Sequence, residues 1–468
     1  MKKYASNCSR VSPPNPFHAP PLTLALPPMK RCLFAFVLSL AFLGKAFAEP
    51  KELTFWITDF NQQQFADFNK IVVEGFNRSQ SDYAVKASLI QQYDRELKLA
   101  LSAGKGPDIL FTEGPSYLVQ YGKNGLVIPL DNYATKYGWD KKFITSTLNL
   151  ERLNGKLYGL PDEYESMFLY YNKTLFEKNG WTPPKNAEEF QRIVDEAKAK
   201  GITPLAGGNA NWKGTNEWFI TVVLNHYAGA ENVYQALTGK LPWNAPVFVE
   251  AINLLNDWWQ KGYFSKNYYA LSNTEAINEV ATGKAAMTFS GSWAIHDMTQ
   301  TFSQSGQEWD WAPIPSFASS ATYPLYELGI GGTQSISKFC KNPDGAAAFL
   351  DFMYQPKVFM AWTEAQPSSG QLLPPGNFSE QETTSSKLDP RLVKQNAEVL
   401  NCIRTGQIGY TTWAFWPDRT EQLMINEIEK VWSGQLKVAD YLKQVNDQFQ
   451  QDVKDGRLPP VIAPGGKE

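Results

Sequence analysis

Glu163 and Glu165, two apart in Pro161-Asp162-Glu163-Tyr164-Glu165-Ser166, are a carboxylate pair whose spacing suits chemistry. On an extended segment residues two apart share a face, and Tyr164 points the other way. Such a pair can accept hydrogen bonds from hydroxyl groups, or it can be a solvated loop. A second group ends the apolar run Ala285-Ala286-Met287-Thr288-Phe289, which stops at Ser290-Gly291-Ser292-Trp293. The Trp293 indole is either core or a flat surface at the mouth of a cleft, with Ser292 and Gly291 shaping the approach. A third group places Trp413, Phe415 and Trp416 just before a helix whose early positions hold Asp418 and Arg419. Gly331 and Gly332 either let backbone amides approach a ligand or make a simple turn. Trp212 and Trp218 lie where a loop leads into a helix, a setting in which Trp218 also fits a core.

Other chemistries find less support. A formal net charge of −3 argues against a nucleic-acid partner, which would favour a basic face. His226 and His296 have no Cys, His or carboxylate partner at metal-ligand spacing, so no metal site and no cofactor is expected. Gly207-Gly208-Asn209-Ala210-Asn211-Trp212-Lys213-Gly214-Thr215 lacks the Gly-Lys-Ser/Thr order of a phosphate-binding loop. No Gly-x-Ser-x-Gly nucleophile elbow is present. The main rival to a binding protein is a glycoside hydrolase, which also uses aromatic platforms and paired carboxylates. Neighbours on one strand face, however, lie about 7 Å apart and point the same way. Glycosidic cleavage needs carboxyls on opposite sides of the scissile bond.

The elements that would hold these residues alternate. Residues 52–58, 83–90 and 107–111 read as strands, with Phe65, Phe68, Val72 and Phe76 at helical spacing after the first and Leu97, Ala100 and Leu101 after the second. This β-α-β-α-β order predicts parallel strands with crossover helices, an α/β fold. Ligands in such sheets sit beyond the carboxyl ends of the strands. That singles out Asp59 after the first strand, and Thr112 and Glu113 after the third. Asp59 either accepts from a ligand hydroxyl or caps the following helix. Asn186 and Glu189 signal a capping box ahead of a scaffold helix that Gly201 ends. Residues 247–264 read as a helix with Ile252, Leu255 and Trp259 on one face, and two more helices follow Met424 and Val438. Residues 367–387 are a turn-rich connection that could cross between lobes.

The length of 468 residues predicts two domains or lobes, and 43% hydrophobic with 19% charged residues describes a globular protein. Met29-Lys30-Arg31, the apolar run Cys32–Leu43 and Ala46-Phe47-Ala48 have the layout of a signal peptide. Residues 1–28 are then an untranslated or disordered extension, residues 29–48 are removed after Ala48, and the chain is exported to a periplasm. Cys340 and Cys402 remain beyond that point, as a disulfide or as free thiols.

Several segments together resemble the extracellular solute-binding proteins of sugar importers, of the maltose-binding type. They are Gly104–Phe111, Tyr121–Tyr133, Leu153–Gly180, Ala281–Trp293 and Gly329–Met353, in the family's order. The resemblance implies a two-lobed periplasmic binding protein fold of type II, with a hinge between the lobes and a ligand cleft at their interface. It implies lobes of 49–160 plus about 318–375 and of 161–317 plus about 376–468. It implies a monomer that captures a small-molecule carbohydrate and delivers it to inner-membrane permease subunits driven by an ATPase; a sensor serving a chemoreceptor remains open.

Sugars need fixed partners for their hydroxyls and flat apolar partners for their C–H faces. Glu165 matches the family's ligand-binding Glu, counted back from Tyr171-Asn172-Lys173, and Trp293 its stacking platform. The family's aromatic contact and following Arg fall near Trp413, Trp416 and Arg419, with the register off by about one residue. Where the family can show a Trp, this chain has Thr112, which implies a ligand differing from maltose.

Overall fold

The computed structural model describes residues 49–464, apart from 59–60, 113, 211–212, 366–375, 378, 380–381 and 383–384. The leader and most of the turn-rich connection therefore lie outside the described residues, as do Asp59, Glu113 and Trp212. Residues Glu49–Glu468 form one compact unit.

The described residues begin with β1 (Lys51–Ile57), β2 (Tyr83–Leu89) and β3 (Ile109–Thr112), and both β2 and β3 pair parallel to β1. Leu53, Phe55 and Ile57 alternate inward along β1, whereas all four residues of β3, which lies between β1 and the antiparallel β13, are buried. A hairpin of β4 (Arg152–Leu153) and β5 (Lys156–Leu157) precedes β6 (Leu160–Pro161) and β7 (Tyr164–Glu165). Then come β8 (Met167–Asn172), β9 (Thr203–Leu205), β10 (Ala285–Gly291) and β11 (Trp309–Ala312). The last strands are β12 (Tyr326–Ile330), β13 (Thr333–Ile336) and β14 (Ile408–Tyr410).

Among the described residues three sheets of three or more strands result, ordered β2-β1-β3-β13-β6, β11-β8-β10-β9 and β14-β12-β7. The chain leaves the first sheet at β6, runs through β7 in the third, and enters the second at β8. It returns from β11 through β12 to β13. The adjacent antiparallel strands β7 and β12 are thus both crossing strands, with Glu165 opposite Gly329 and Tyr164 opposite Ile330.

Several local expectations need correcting. The helix after β1 is capped by Asn61, whose side chain accepts from the amides of Gln63 and Gln64; the capping role offered for Asp59 is taken. Asn186 caps the helix Ala187–Ala199 through the Glu189 amide, but the Glu189 carboxylate accepts from the amide of Lys185, so the reciprocal half of the box is not made. Trp259 lies half-buried on the helix Pro246–Gln260, stacked on Trp432 at 4.5 Å and 6°. Cys340 and Cys402 are separate thiols, and burial pushes the Cys340 thiol up to about 12. Among the described residues no helix is long and apolar enough to cross a membrane.

Candidate functional site

The end of β10 explains its own sequence. A Cβ on Gly291 would lie 2.2 Å from the six-membered ring of Trp293, so only a glycine lets the indole fold back over the strand end. The Ser292 amide donates to the Ser166 carbonyl at 2.9 Å, which pins this turn to the residue between β7 and β8. Ser292 itself is buried, so it positions Trp293 instead of presenting a hydroxyl.

Trp293 is half-buried and meets two other indoles. Trp218, on the helix Gly214–Val223, lies 5.5 Å away at 53°, and Trp413 lies 5.7 Å away at 69°, edge to face. Trp218 is only 4% exposed and forms the back wall, not an open platform. Trp413 is half-buried in the four-residue helix Thr412–Phe415 that follows β14. Its indole N–H donates to Glu165 Oε2 at 2.8 Å. A charge-assisted bond of this kind fixes both the acid and the plane of the ring. The Ser116 hydroxyl, on the helix Gly114–Lys123 after β3, donates to the Trp413 carbonyl at 3.0 Å. The helix leaving the first sheet, a crossing strand and the end of β10 in the second sheet therefore converge on Trp413.

The two carboxylates found by spacing do gather at one place. A Cβ on Gly331 would lie 2.7 Å from Glu165 Oε1 and 3.0 Å from Glu163 Oε1. Both acids stand over this bare backbone, on one side of the crossing strand, and neither opposes the other as a hydrolytic pair would. The Gly331 amide donates to the Glu163 carbonyl at 3.2 Å. Nearby, burial pushes the Asp162 carboxyl up to about 6, against a bond from Gln334 at 3.2 Å. Burial also pushes Glu151 up to about 8, although the Thr333 hydroxyl lies 3.0 Å from each of its oxygens.

Four candidates do not join this group. Trp416 is fully buried, its ring 4.9 Å from that of Trp243; the chain turns extended at Trp416 once the short helix ends, and swings the ring into the core. Arg419 bonds Asp452 at 2.6 Å and pairs with Asp455, which commits it to the C-terminal helix Val438–Lys454 and the turn after it. Thr112 is 4% exposed, with its hydroxyl turned to the Gly114 carbonyl at 3.4 Å. A Cβ on Gly332 would strike the Phe111 ring at 2.1 Å, so this glycine serves packing. Sequence reading missed Ser116, whose type and place carry no signal, and Thr412.

Residues 60–358 match the bacterial extracellular solute-binding protein family. The chain belongs to that family. It is 26% identical over 269 residues to the multiple sugar-binding protein of Streptococcus mutans, an alignment covering 54% of this chain and 61% of that protein. It is 24% identical over 347 residues to the sn-glycerol-3-phosphate-binding periplasmic protein of Yersinia enterocolitica, covering 71% and 77%. A solved chitin oligosaccharide binding protein superposes with a TM-score of 0.72 at 22% identity, over 86% of this chain and 99% of that one. The GacH receptor of Streptomyces glaucescens gives 0.68 at 21%, over 87% and 99%. The fold is the α/β two-lobed fold of type II periplasmic binding proteins.

Proposed function

We propose that this solute-binding protein captures a neutral, hydroxyl-rich solute, a sugar or glycoside, for delivery to a membrane permease of the ATP-driven type. The observation that carries this reading is the Glu165 carboxylate, bonded to the Trp413 indole whose ring meets Trp293 edge to face. Acid oxygens would accept from ligand hydroxyls, and the indole faces would cover C–H surface. The lobes are 49–160 plus about 318–375 and 161–317 plus about 376–468, joined through β7 and β12 and closing by hinge motion. Glu163, Trp293 and the Gly331 backbone complete the contact set. Asp59 and Glu113, after strands of the first sheet, belong to the same proposal.

The names of relatives offer both sugars and a glycerol phosphate. Charge favours the uncharged class: Glu163 and Glu165 flank the candidate site, and Arg419 is already paired with Asp452 and Asp455. The signal peptide, cleavage after Ala48 and a periplasmic, monomeric protein complete the reading. Calorimetry against a panel of mono- and oligosaccharides, with sn-glycerol-3-phosphate included, tests it. Stoichiometric micromolar binding, about −8 kcal/mol, without turnover of the sugar supports it. Release of hydrolysis products, or selective binding of the phosphate, refutes it.

A further inference from the structure

Directly behind the tryptophan cluster lies a pair of buried acids that the binding scheme does not use. Glu217 precedes Trp218 on the helix Gly214–Val223, and Glu421 lies in the first turn of the helix Asp418–Trp432. Each is 4% exposed, and the two carboxyls hydrogen-bond to each other. The Thr412 hydroxyl, next to Trp413, donates to Glu217 Oε1 at 2.6 Å. Thr221 lies 3.0 Å from that hydroxyl oxygen and supplies the next donor in the chain.

Two ionised carboxylates have no hydrogen to place between them, so one of this pair must carry a proton. Each acid lies in the first turn of its own helix, so neither helix dipole assigns the proton to one partner and the pair holds it in common. Burial raises the affinity of Glu217 for that proton, and the hydrogen bonds with Glu421 and Thr412 oppose the rise. The surrounding charges are committed elsewhere. Lys213 pairs with Glu429, Arg419 with Asp452, Asp418 with Arg457 and His226 with Glu327. Glu250 and Asp257 of the packed helix Pro246–Gln260 are exposed, and β10 carries no titratable residue.

We propose that Glu217 and Glu421 share a single proton and act as a positioning pair, holding the segments that carry Trp218 and Trp413 in register. Loss of that proton sets two anions against each other and separates the tryptophan rings. The pair touches no solute; it acts through the indoles, and the inference takes the tryptophan cluster as the site proposed above.

The test needs no sugar, so its failure is distinct from failure of the binding reading. Near-UV circular dichroism of the full chain reports the coupled indoles, and far-UV dichroism reports the fold, as pH is raised from neutral to alkaline. The wild type is expected to lose its tryptophan signal reversibly while the far-UV signal holds. Glu217→Gln keeps a donor toward Glu421 and an acceptor for Thr412, and is expected to keep the signal across the whole range. Glu421→Gln serves as a second variant, since its amide donates to an ionised Glu217. The infrared C=O band of a protonated carboxylic acid at neutral pH is expected to weaken in Glu217→Gln. Two results overturn the proposal: a wild-type tryptophan signal that persists until the fold itself is lost, or Gln variants that follow the wild-type transition.

Discussion

Substituting Gly331 with alanine separates binding from folding. The added methyl would sit 2.7 Å from Glu165 Oε1, 2.8 Å from its carboxyl carbon and 3.0 Å from Glu163 Oε1. Ordinary carbon–oxygen contact needs roughly 3.3 Å, so the Glu165 carboxylate must retreat by about half an ångström or change rotamer. Its 2.8 Å bond to the Trp413 indole is then strained or broken. A bond to a charged group contributes about 1.5–3 kcal/mol, and its loss from the site would weaken sugar affinity about 10- to 150-fold. Stability should change far less. Gly331 and both acids are only half-buried, and a carboxylate that swings toward solvent costs about 1 kcal/mol or less. Titration calorimetry gives the affinity and a thermal melt gives the stability. Unchanged affinity in a folded Gly331→Ala variant would refute the claim that these acids define the site. A comparably large fall in melting temperature would refute the claim that the Glu165 carboxylate can shift at little cost to the fold.

Three further outcomes follow from the same geometry. Trp293→Ala should weaken sugar binding by about 2 kcal/mol, roughly 30-fold, in calorimetry on a protein whose far-UV spectrum is unchanged. Trp416→Ala, by contrast, should cost about 3–5 kcal/mol of stability in chemical denaturation, because it opens a cavity against Trp243. Glu151 has a pKa raised by burial to about 8; its stabilising protonated form is fully present below the ordinary carboxylate range and is lost as pH rises through about 8. Glu151→Gln should therefore melt higher than wild type under alkaline conditions, and the slope of melting temperature against pH should flatten.

Much of this was legible in the chain because strand geometry is strict. A period of two placed Glu163 and Glu165 together whatever the tertiary context, and β-α-β alternation predicted the three parallel strands of the first sheet but not β13 and β6, which join it antiparallel from distant segments. The assignment of Trp413 and Trp416 was not legible. They lie three residues apart, and which ring turns inward depends on where a single helical turn ends. The buried acids left no trace either. The helix Gly214–Val223 is buried along its whole length, so it has no polar face from which Glu217 would stand out. Fully enclosed helices lose the periodicity on which sequence reading depends.

Glu165 belongs to β7, one of the two crossing strands, on which the halves would turn under the proposed function. A group seated at a pivot keeps its place while the arms swing. Parting the halves would instead cost the Ser116 link to the Trp413 carbonyl, because Ser116 rides on the arm built from the first sheet. The empty receptor would thus retain its acid and attached indole as a ready landing point. Arrival of the far arm, marked by one serine hydroxyl, would complete the enclosure.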